Sequence, residues 1–437
     1  MSIEKINQAK AEIAATSAYK TITAFFDADS FCEIDAFAKS GEGFAEVVAG
    51  FGTVEGMPVY AFAQNSDICG GAMSKAQAAK LKKLYGLALK TGAPVVGFYD
   101  SVGGRLKQGT ELLAGCGDVL NAAASLSGVV PQISVVLDTC LGTNALNAAS
   151  ADIVIMSKDA QLSLSVTGKH SDAAYNAENG IASIVCDDAD KAIKAAKELI
   201  LYLPSNNLTM APQSFEEAPA EDGCGWVVSR TVGGNSIVKL FNDYGKEANV
   251  RFARLGGQVV GIVVTKGKEL GCKSANKVAK FVRFCDAFSL PVVTFVNCPG
   301  FESIKSATKA SAAYAEATTV KISVVTGKAI GSGYVALAGT GANADVVYAL
   351  PDAVISPVNV EAAAFIMAPE VMNVATDKQA GGAQKFAEEN LSAYNAAQNG
   401  YVDGIVEEAQ LRQTLISALD MLSGKRVSTL SKKHSTI

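Results

Sequence analysis

Histidine is nearly absent: the chain carries only His170 and His434. A triad or metal centre built on imidazole is thereby all but excluded, and no metal site is expected. The nine cysteines are Cys32, Cys69, Cys116, Cys140, Cys186, Cys224, Cys272, Cys285 and Cys298. Their number is odd, their spacing wide, and no Cys-x-x-Cys occurs, which reads as reduced thiols and not as disulfides or a zinc site. Long basic runs are missing and the net charge is −5, which speaks against a nucleic-acid partner. No apolar stretch is long enough to span a bilayer, and residues 1–20 are polar and Ala-rich without a signal-peptide core. A cytoplasmic location is expected.

What is present is a globular balance, 49% hydrophobic and 19% charged, over 437 residues. That is too long for one ordinary core, so two domains are expected. Strand-like runs alternate with helical spacing. The segment from Gly50 to Ala63 reads as strand, Glu-Gly turn, strand. Residues 74–90 have helical spacing, with Lys75, Lys80, Lys82 and Lys83 on a solvated face. Pro94-Val95-Val96-Gly97-Phe98-Tyr99-Asp100 is a strand ending in the turn Ser101-Val102-Gly103-Gly104-Arg105. Residues 133–137, 153–156 and 162–166 read as strands, and 188–202 as a helix. Residues 204–222 hold three prolines and four acids, the best linker.

Beyond the linker the order of elements begins again. Phe51-Gly52-Thr53-Val54-Glu55-Gly56 answers to Phe252-Ala253-Arg254-Leu255-Gly256-Gly257. Ala93-Pro94-Val95-Val96 answers to Leu290-Pro291-Val292-Val293, and Ile133-Ser134-Val135-Val136 to Ile322-Ser323-Val324-Val325. Ala151-Asp152-Ile153-Val154 answers to Ala344-Asp345-Val346-Val347, and Asn179-Gly180 to Asn399-Gly400. Five matches in one order imply two copies of an α/β unit of about 200 residues, each with a mainly parallel sheet. The boundary is set at 1–215 and 216–437. The run Val320-Lys321-Ile322-Ser323-Val324-Val325 is a buried strand followed by the small, Gly-rich stretch Thr326 to Gly333. Tyr334 to Ala338 is the apolar segment that would open a helix. Such a turn can hold a developing oxyanion with backbone N–H donors alone.

Ala279 to Phe301, ending Asn297-Cys298-Pro299-Gly300-Phe301, resembles a signature of biotin-dependent acyl-CoA carboxyltransferase subunits. These include propionyl-CoA and acetyl-CoA carboxylase chains and the methylmalonyl-CoA decarboxylase alpha subunit. Gly128-Val129-Val130-Pro131-Gln132, Tyr202-Leu203-Pro204-Ser205-Asn206-Asn207 and Asn399-Gly400-Tyr401-Val402-Asp403-Gly404 are further matches. The resemblance implies an α/β chain of two tandem crotonase-like domains, acyl-CoA on the first and biotin on the second. Each domain would polarise one carbonyl with backbone N–H groups.

The resemblance places the first oxyanion turn at Gly142 and Thr143 and the second at Ser332 and Gly333, with Gly331 beside them. Ser101, Gly103, Gly104, Arg105, Gly300 and Phe301 are the implied substrate and cofactor contacts. The family pattern at the first turn is Ala-Gly-Gly-Ala, where this chain has Leu141-Gly142-Thr143-Asn144. A β-branched Thr143 is expected to resist positive φ and crowd a ligand. The segment after Phe301 is shorter than the family's, and no Met-Lys-Met-like biotin attachment site is present. Biotin must therefore come on a separate biotin carboxyl carrier protein, with a CoA thioester as substrate. Biotin carboxylase or a membrane sodium-pump decarboxylase subunit would be further partners, and the chain would form a dimer-based homo-oligomer, up to a hexamer. Two other readings stay open: a catalytically impaired paralogue with a structural or regulatory role, and a crotonase-like hydratase or isomerase, for which no suitably spaced carboxylate pair is found near the first turn. Glu361 and His170 read as a helix face and a loop residue.

Overall fold

A computed structural model describes residues 3–41, 43–165, 170–214, 227–232, 237–372 and 376–427. The chain divides into two compact units, Met1–Ala211 and Pro212–Ile437. The expected break between residues 215 and 216 lies outside the described residues, as do His434 and the acidic part of the linker.

Each unit is built on one eight-stranded sheet. The first opens with β1 (Val47–Val54) and β2 (Met57–Gln64), an antiparallel hairpin turned by Glu55 and Gly56 at φ 49° and 78°. Then come α1 (Lys75–Thr91), β3 (Val95–Ser101), α2 (Thr110–Ala124), β4 (Gln132–Leu141), α3 (Thr143–Ala149) and β5 (Ile153–Ser157). Strands β2 to β5 run parallel in that order. The second unit repeats the plan with β6 (Ala248–Leu255), β7 (Gln258–Thr265), α4 (Cys272–Ala287), β8 (Val292–Cys298), α5 (Ile304–Glu316), β9 (Lys321–Ile330), α6 (Ser332–Leu337) and β10 (Val346–Ala349). Pairing order and sense are the same as in the first.

The β-branched runs fold this way because a parallel sheet covered on both faces needs apolar residues at every position. All of Val95, Val96 and Phe98 are buried, as are Val292, Val293 and Phe295. Helix α1 starts where the Ser74 hydroxyl accepts from Gln77 N and ends at Gly92, φ 65°. Its apolar stripe, Leu81, Leu84 and Ala88, is fully buried, worth roughly 2 kcal/mol for each leucine.

Two expectations are corrected. Lys80 is not on the solvated face: it is 3% exposed, with Nζ 2.7 Å from Glu33 Oε1 and donating to Val47 O. Lys75, Lys82 and Lys83 do lie on the surface, paired with Glu111, Asp118 and Asp35. The long strands also run further than their apolar cores. β4 runs on through Asp138, Thr139, Cys140 and Leu141, past the strand expected over 133–137, and β9 includes Thr326, Gly327, Lys328, Ala329 and Ile330, expected as part of the Gly-rich turn.

Candidate active site

The extensions have a cause in partner exchange. β4 pairs with β5 over 133–136, then with the short strand Gln161–Ser163 over 139–141. β9 likewise pairs with β10 over 322–325, then with Val354–Ser356 over 328–330. A register shift accompanies each exchange, between Tyr99 and Ser101 on β3 and between Val296 and Cys298 on β8. Such irregularities re-aim the strand ends that follow.

Each long strand stops at a single glycine. Gly142 has φ 65° and ψ −141°, and Gly331 has φ 50° and ψ −118°, a region closed to most L side chains. Their N–H groups stay in the sheet, Gly142 donating to Ser163 O at 3.0 Å and Gly331 to Ser356 O at 2.8 Å. The helices α3 and α6 begin at the next residue. The N–H groups of their first turns have no intrahelical acceptor and carry the positive end of the helix dipole. The strained position is therefore Gly142, and Thr143 is the first helical residue, not a positive-φ residue. The expected conflict at Thr143 is absent, and its hydroxyl lies 3.1 Å from Cys116 Sγ on α2.

A second backbone segment meets each helix start. Gly103 (φ 127°) and Gly300 (φ 149°) follow β3 and β8. Gly103 O accepts from Met73 N at 2.8 Å and Gly300 O from Leu270 N at 3.0 Å. The next bonds repeat too, Arg105 N to Met73 O and Glu302 N to Leu270 O. A Cβ built on Gly142 would lie 3.9 Å from Gly103 Cα, and one built on Gly300 would lie 3.9 Å from Ser332 Oγ. The fold thus brings Ser101 and Gly103 to Gly142 and Asn144, and brings Cys298 and Gly300 to Ser332 and Gly333, while Gly104 and Phe301 pair with Met73 and Leu270. In each copy a glycine loop lies beside a helix start.

The side chains around the loops differ. Arg105 is tied down by its own unit: Nε lies 2.8 Å from Glu46 Oε1 and Nη1 donates to Ser40 Oγ at 2.8 Å. Glu46 is fully buried and also accepts from the Ser40 and Ser74 hydroxyls. Arg105 thereby neutralises a buried carboxylate and fixes the first loop. Glu302 stands at the matching place in the second. Asn297 shapes its turn, with Oδ1 accepting from Lys328 N at 3.0 Å. Burial pushes the Cys298 thiol up to about 11, so it stays an S–H donor to Gly300 O, just as Ser101 Oγ donates to Gly103 O.

Sequence reading missed Asn144 as a positive contributor. It is 1% exposed, and Nδ2 donates to Ser101 Oγ at 2.8 Å and Gly103 O at 2.9 Å. It also missed a cavity of about 500 Å³ beside Gly331, walled by Tyr334, Val335, Pro357, Asn395 and Tyr401. The available signal was Tyr401 inside the repeated Asn-Gly motif, whose carbonyl accepts from the Tyr334 hydroxyl at 2.7 Å. Glu361 is exposed in the first turn of helix Val360–Met367, and the His170 ring lies against Tyr175, 4.5 Å between centroids. Among the described residues, no group of three or more His, Cys, Asp or Glu is placed to hold a metal, and no helix is long and apolar enough to cross a membrane.

Known proteins resemble this chain in sequence and fold. The methylmalonyl-CoA decarboxylase subunit alpha of Veillonella parvula is 35% identical over 96% of this chain and 92% of its own length. The methylmalonyl-CoA carboxyltransferase 12S subunit of Propionibacterium freudenreichii subsp. shermanii is 34% identical over 89% and 83%. The mitochondrial propionyl-CoA carboxylase beta chain of Sus scrofa is 32% identical over 96% and 88%. A crystal structure of transcarboxylase 12S with methylmalonyl-coenzyme A bound superposes with a TM-score of 0.90 at 30% identity, covering 99% of this chain and 97% of that one. Its crotonase-like carboxyltransferase fold is the fold of this chain. The carboxyl transferase domain family matches residues 15–437, and this chain belongs to it.

Proposed function

We propose that the chain is the carboxyltransferase component of a biotin-dependent acyl-CoA carboxylase or decarboxylase. It moves a carboxyl group between biotin and the α-carbon of a short-chain acyl-CoA, methylmalonyl-/propionyl-CoA or malonyl-/acetyl-CoA. The observation that carries this reading is the pair of matched helix starts, each opposed by a second glycine loop. In the first unit, Gly142 places the Thr143 N–H at the helix start, and Ser101, Gly103 and Gly104 form the facing wall. Donors aimed at a thioester oxygen stabilise the negative charge that appears when the α-carbon loses its proton. Arg105 holds that wall in place. In the second unit, Ser332 and Gly333 supply the matching N–H groups, with Gly300, Phe301 and Gly331 around them.

Biotin, when bound, supplies a nitrogen that carries the carboxyl group. The cavity beside Gly331 is uncharged and would suit such a bicycle: Val335, Ile355, Pro357 and Leu391 give it apolar surface, and Tyr334, Asn390, Asn395, Asn399 and Tyr401 give polar points. The second turn then faces the oxygen on which charge develops. Charge accumulates on oxygen in both units, which is why backbone donors serve and histidine is dispensable.

The partner reading follows from the same site: a separate biotin carboxyl carrier protein, with biotin carboxylase or a membrane sodium-pump decarboxylase subunit beyond it. A dimer-based homo-oligomer, up to a hexamer, is supported by the hexamer assembly described for transcarboxylase 12S. The location that fits is the cytoplasm, peripheral to a membrane complex in the decarboxylase case. The impaired-paralogue alternative rested on Thr143 with Asn144 in place of the family's small residues, and with Thr143 at the first helical position the turn geometry gives it no support.

The test is carboxyl transfer from malonyl-CoA or methylmalonyl-CoA to free biotin by the purified chain, read as acetyl-CoA or propionyl-CoA formed. No turnover with any short acyl-CoA at high enzyme concentration overturns the proposal.

A further inference from the structure

The first unit holds a cavity of about 160 Å³ that carboxyl transfer does not use. It lies where the strands begin: Val95 opens β3 and Gln132 opens β4, at the ends opposite to Ser101 and Leu141. Asn147 lines it from α3. Ser127 and Ser150 also line it and are exposed, which puts them at its mouth. No Asp, Glu, Lys, Arg or His is among the lining residues. Tyr85 and Tyr99 are, and burial pushes both phenols up, Tyr85 to about 12, so they stay neutral. The cavity is therefore polar and uncharged.

Asn147 is 8% exposed, and among the described residues neither its Nδ2 nor its Oδ1 has a hydrogen-bond partner. A buried amide in that state destabilises the fold until a group with both a donor and an acceptor meets it. The second unit is built differently at this place. Gly97 pairs with Ser134 and Thr294 with Ser323, so Thr294 stands where Gly97 lines the cavity. Gln132 Nε2 donates to Ala123 O at 3.1 Å and Lys321 Nζ to Tyr314 O, which sets Tyr314 at the place of Ala123. Tyr314 is fully buried, its hydroxyl 2.8 Å from Thr294 Oγ1. A tyrosine thus occupies in the second unit the space that glycine and alanine leave in the first. The amide goes with the space, for Ala336 follows Gly331 at the interval at which Asn147 follows Gly142.

We propose that this cavity binds a small neutral molecule carrying an N–H beside a C=O, an amide or a urea, with the Asn147 amide as its complementary partner. Its volume is close to the roughly 150 Å³ that admits benzene, so a single small ring is the largest guest. Ions are disfavoured because no charged side chain offsets their loss of water. A purely apolar guest leaves the amide unpaired, and a guest with an acceptor alone pairs only Nδ2. The site is independent of the carboxyl-transfer reading.

The probe is 2-imidazolidinone, a cyclic urea of that size, titrated into the full chain and followed by ligand-observed NMR. Saturable binding to wild type is expected. Cyclopentanone, which keeps the ring and the carbonyl but lacks the N–H, should bind about tenfold more weakly. Asn147→Leu, similar in volume and without polar atoms, should weaken the probe about tenfold or more. Ser127→Trp, a change at an exposed position, should block the mouth to a similar degree, and it decides the test if Asn147→Leu does not fold. No saturable binding to wild type, equal binding of cyclopentanone, or binding unchanged in either folded variant overturns the proposal. A crystal soaked in the probe that shows only water against Asn147 overturns it as well.

Discussion

Gly142-Thr143-Asn144 and Gly331-Ser332-Gly333 are the same turn solved with different side chains. Both put the positive φ on the first glycine and start a helix at the next residue. They part at the third position. In the second copy Gly333 presses against the backbone of Cys298, where a Cβ would overlap the carbonyl oxygen. In the first copy Asn144 fills the corresponding region and bonds to Ser101 and Gly103. One loop is held by close backbone packing and the other by an amide. A departure from a family pattern can therefore leave the donors in place when a new hydrogen bond replaces a lost contact.

Exchanging residues between the copies breaks this comparison most directly. Gly333→Asn is expected to be the most damaging, at about 3 kcal/mol, because the Cys298 carbonyl is backbone and cannot swing away. Denaturant unfolding together with carboxyl transfer to biotin would check it; a stable, active variant would show that the packing at Gly333 is not required.

Lys321→Gln comes next and carries a pH signature. Lys321 occupies the place of Gln132, is 1% exposed, and donates to the carbonyls of Tyr314 and Ala317 at the end of α5. Burial lowers it to about 8 from an ordinary 10.5. Between those values the unfolded chain binds the proton and the folded chain does not, so wild-type stability rises with pH across the window. Relative to Lys321→Gln, wild type should gain up to about 3 kcal/mol between pH 8 and 10.5, and nothing below pH 7. Parallel unfolding curves at pH 7 and pH 10 measure the difference; a constant gap contradicts the linkage.

Asn144→Ala should cost about 1–3 kcal/mol by leaving a buried hydroxyl and carbonyl short of a donor. It should also slow α-proton exchange of propionyl-CoA in D2O while leaving its KM nearly unchanged, since the donors shift but the binding surface remains. Asn144→Asp, which retains only an acceptor, should not restore it. Thr143→Gly is the mildest. Because Thr143 has helical φ, glycine relieves nothing and costs roughly 0.3–0.5 kcal/mol of helix stability. A large rise in carboxyl-transfer rate on this change would revive the idea of a degenerate first turn.

Much of the plan is legible in the chain. The repeat announces two units because matching strands need the same β-branched runs wherever a parallel sheet is buried on both faces. Gly142 and Gly331 are visible because positive φ at a strand end selects glycine locally. The same logic fails at Thr143, since nothing in a short sequence tells which of three adjacent residues takes the strained conformation. Strand ends at Leu141 and Ile330 were read as turn because their partners, Gln161–Ser163 and Val354–Ser356, lie outside the local pattern.

By itself, then, the sequence determined the duplicated α/β architecture, the glycines that end the two long strands and the scarcity of imidazole, all consequences of composition and short-range pattern. Tertiary structure alone decided the rest, because each point depends on residues far apart along the chain. It turned Lys80 inward to Glu33, locked Arg105 onto Glu46, and aimed the Asn144 amide at the Gly103 loop. It also buried Arg251 with no hydrogen-bond partner for its Nε among the described residues, which no linear pattern announces.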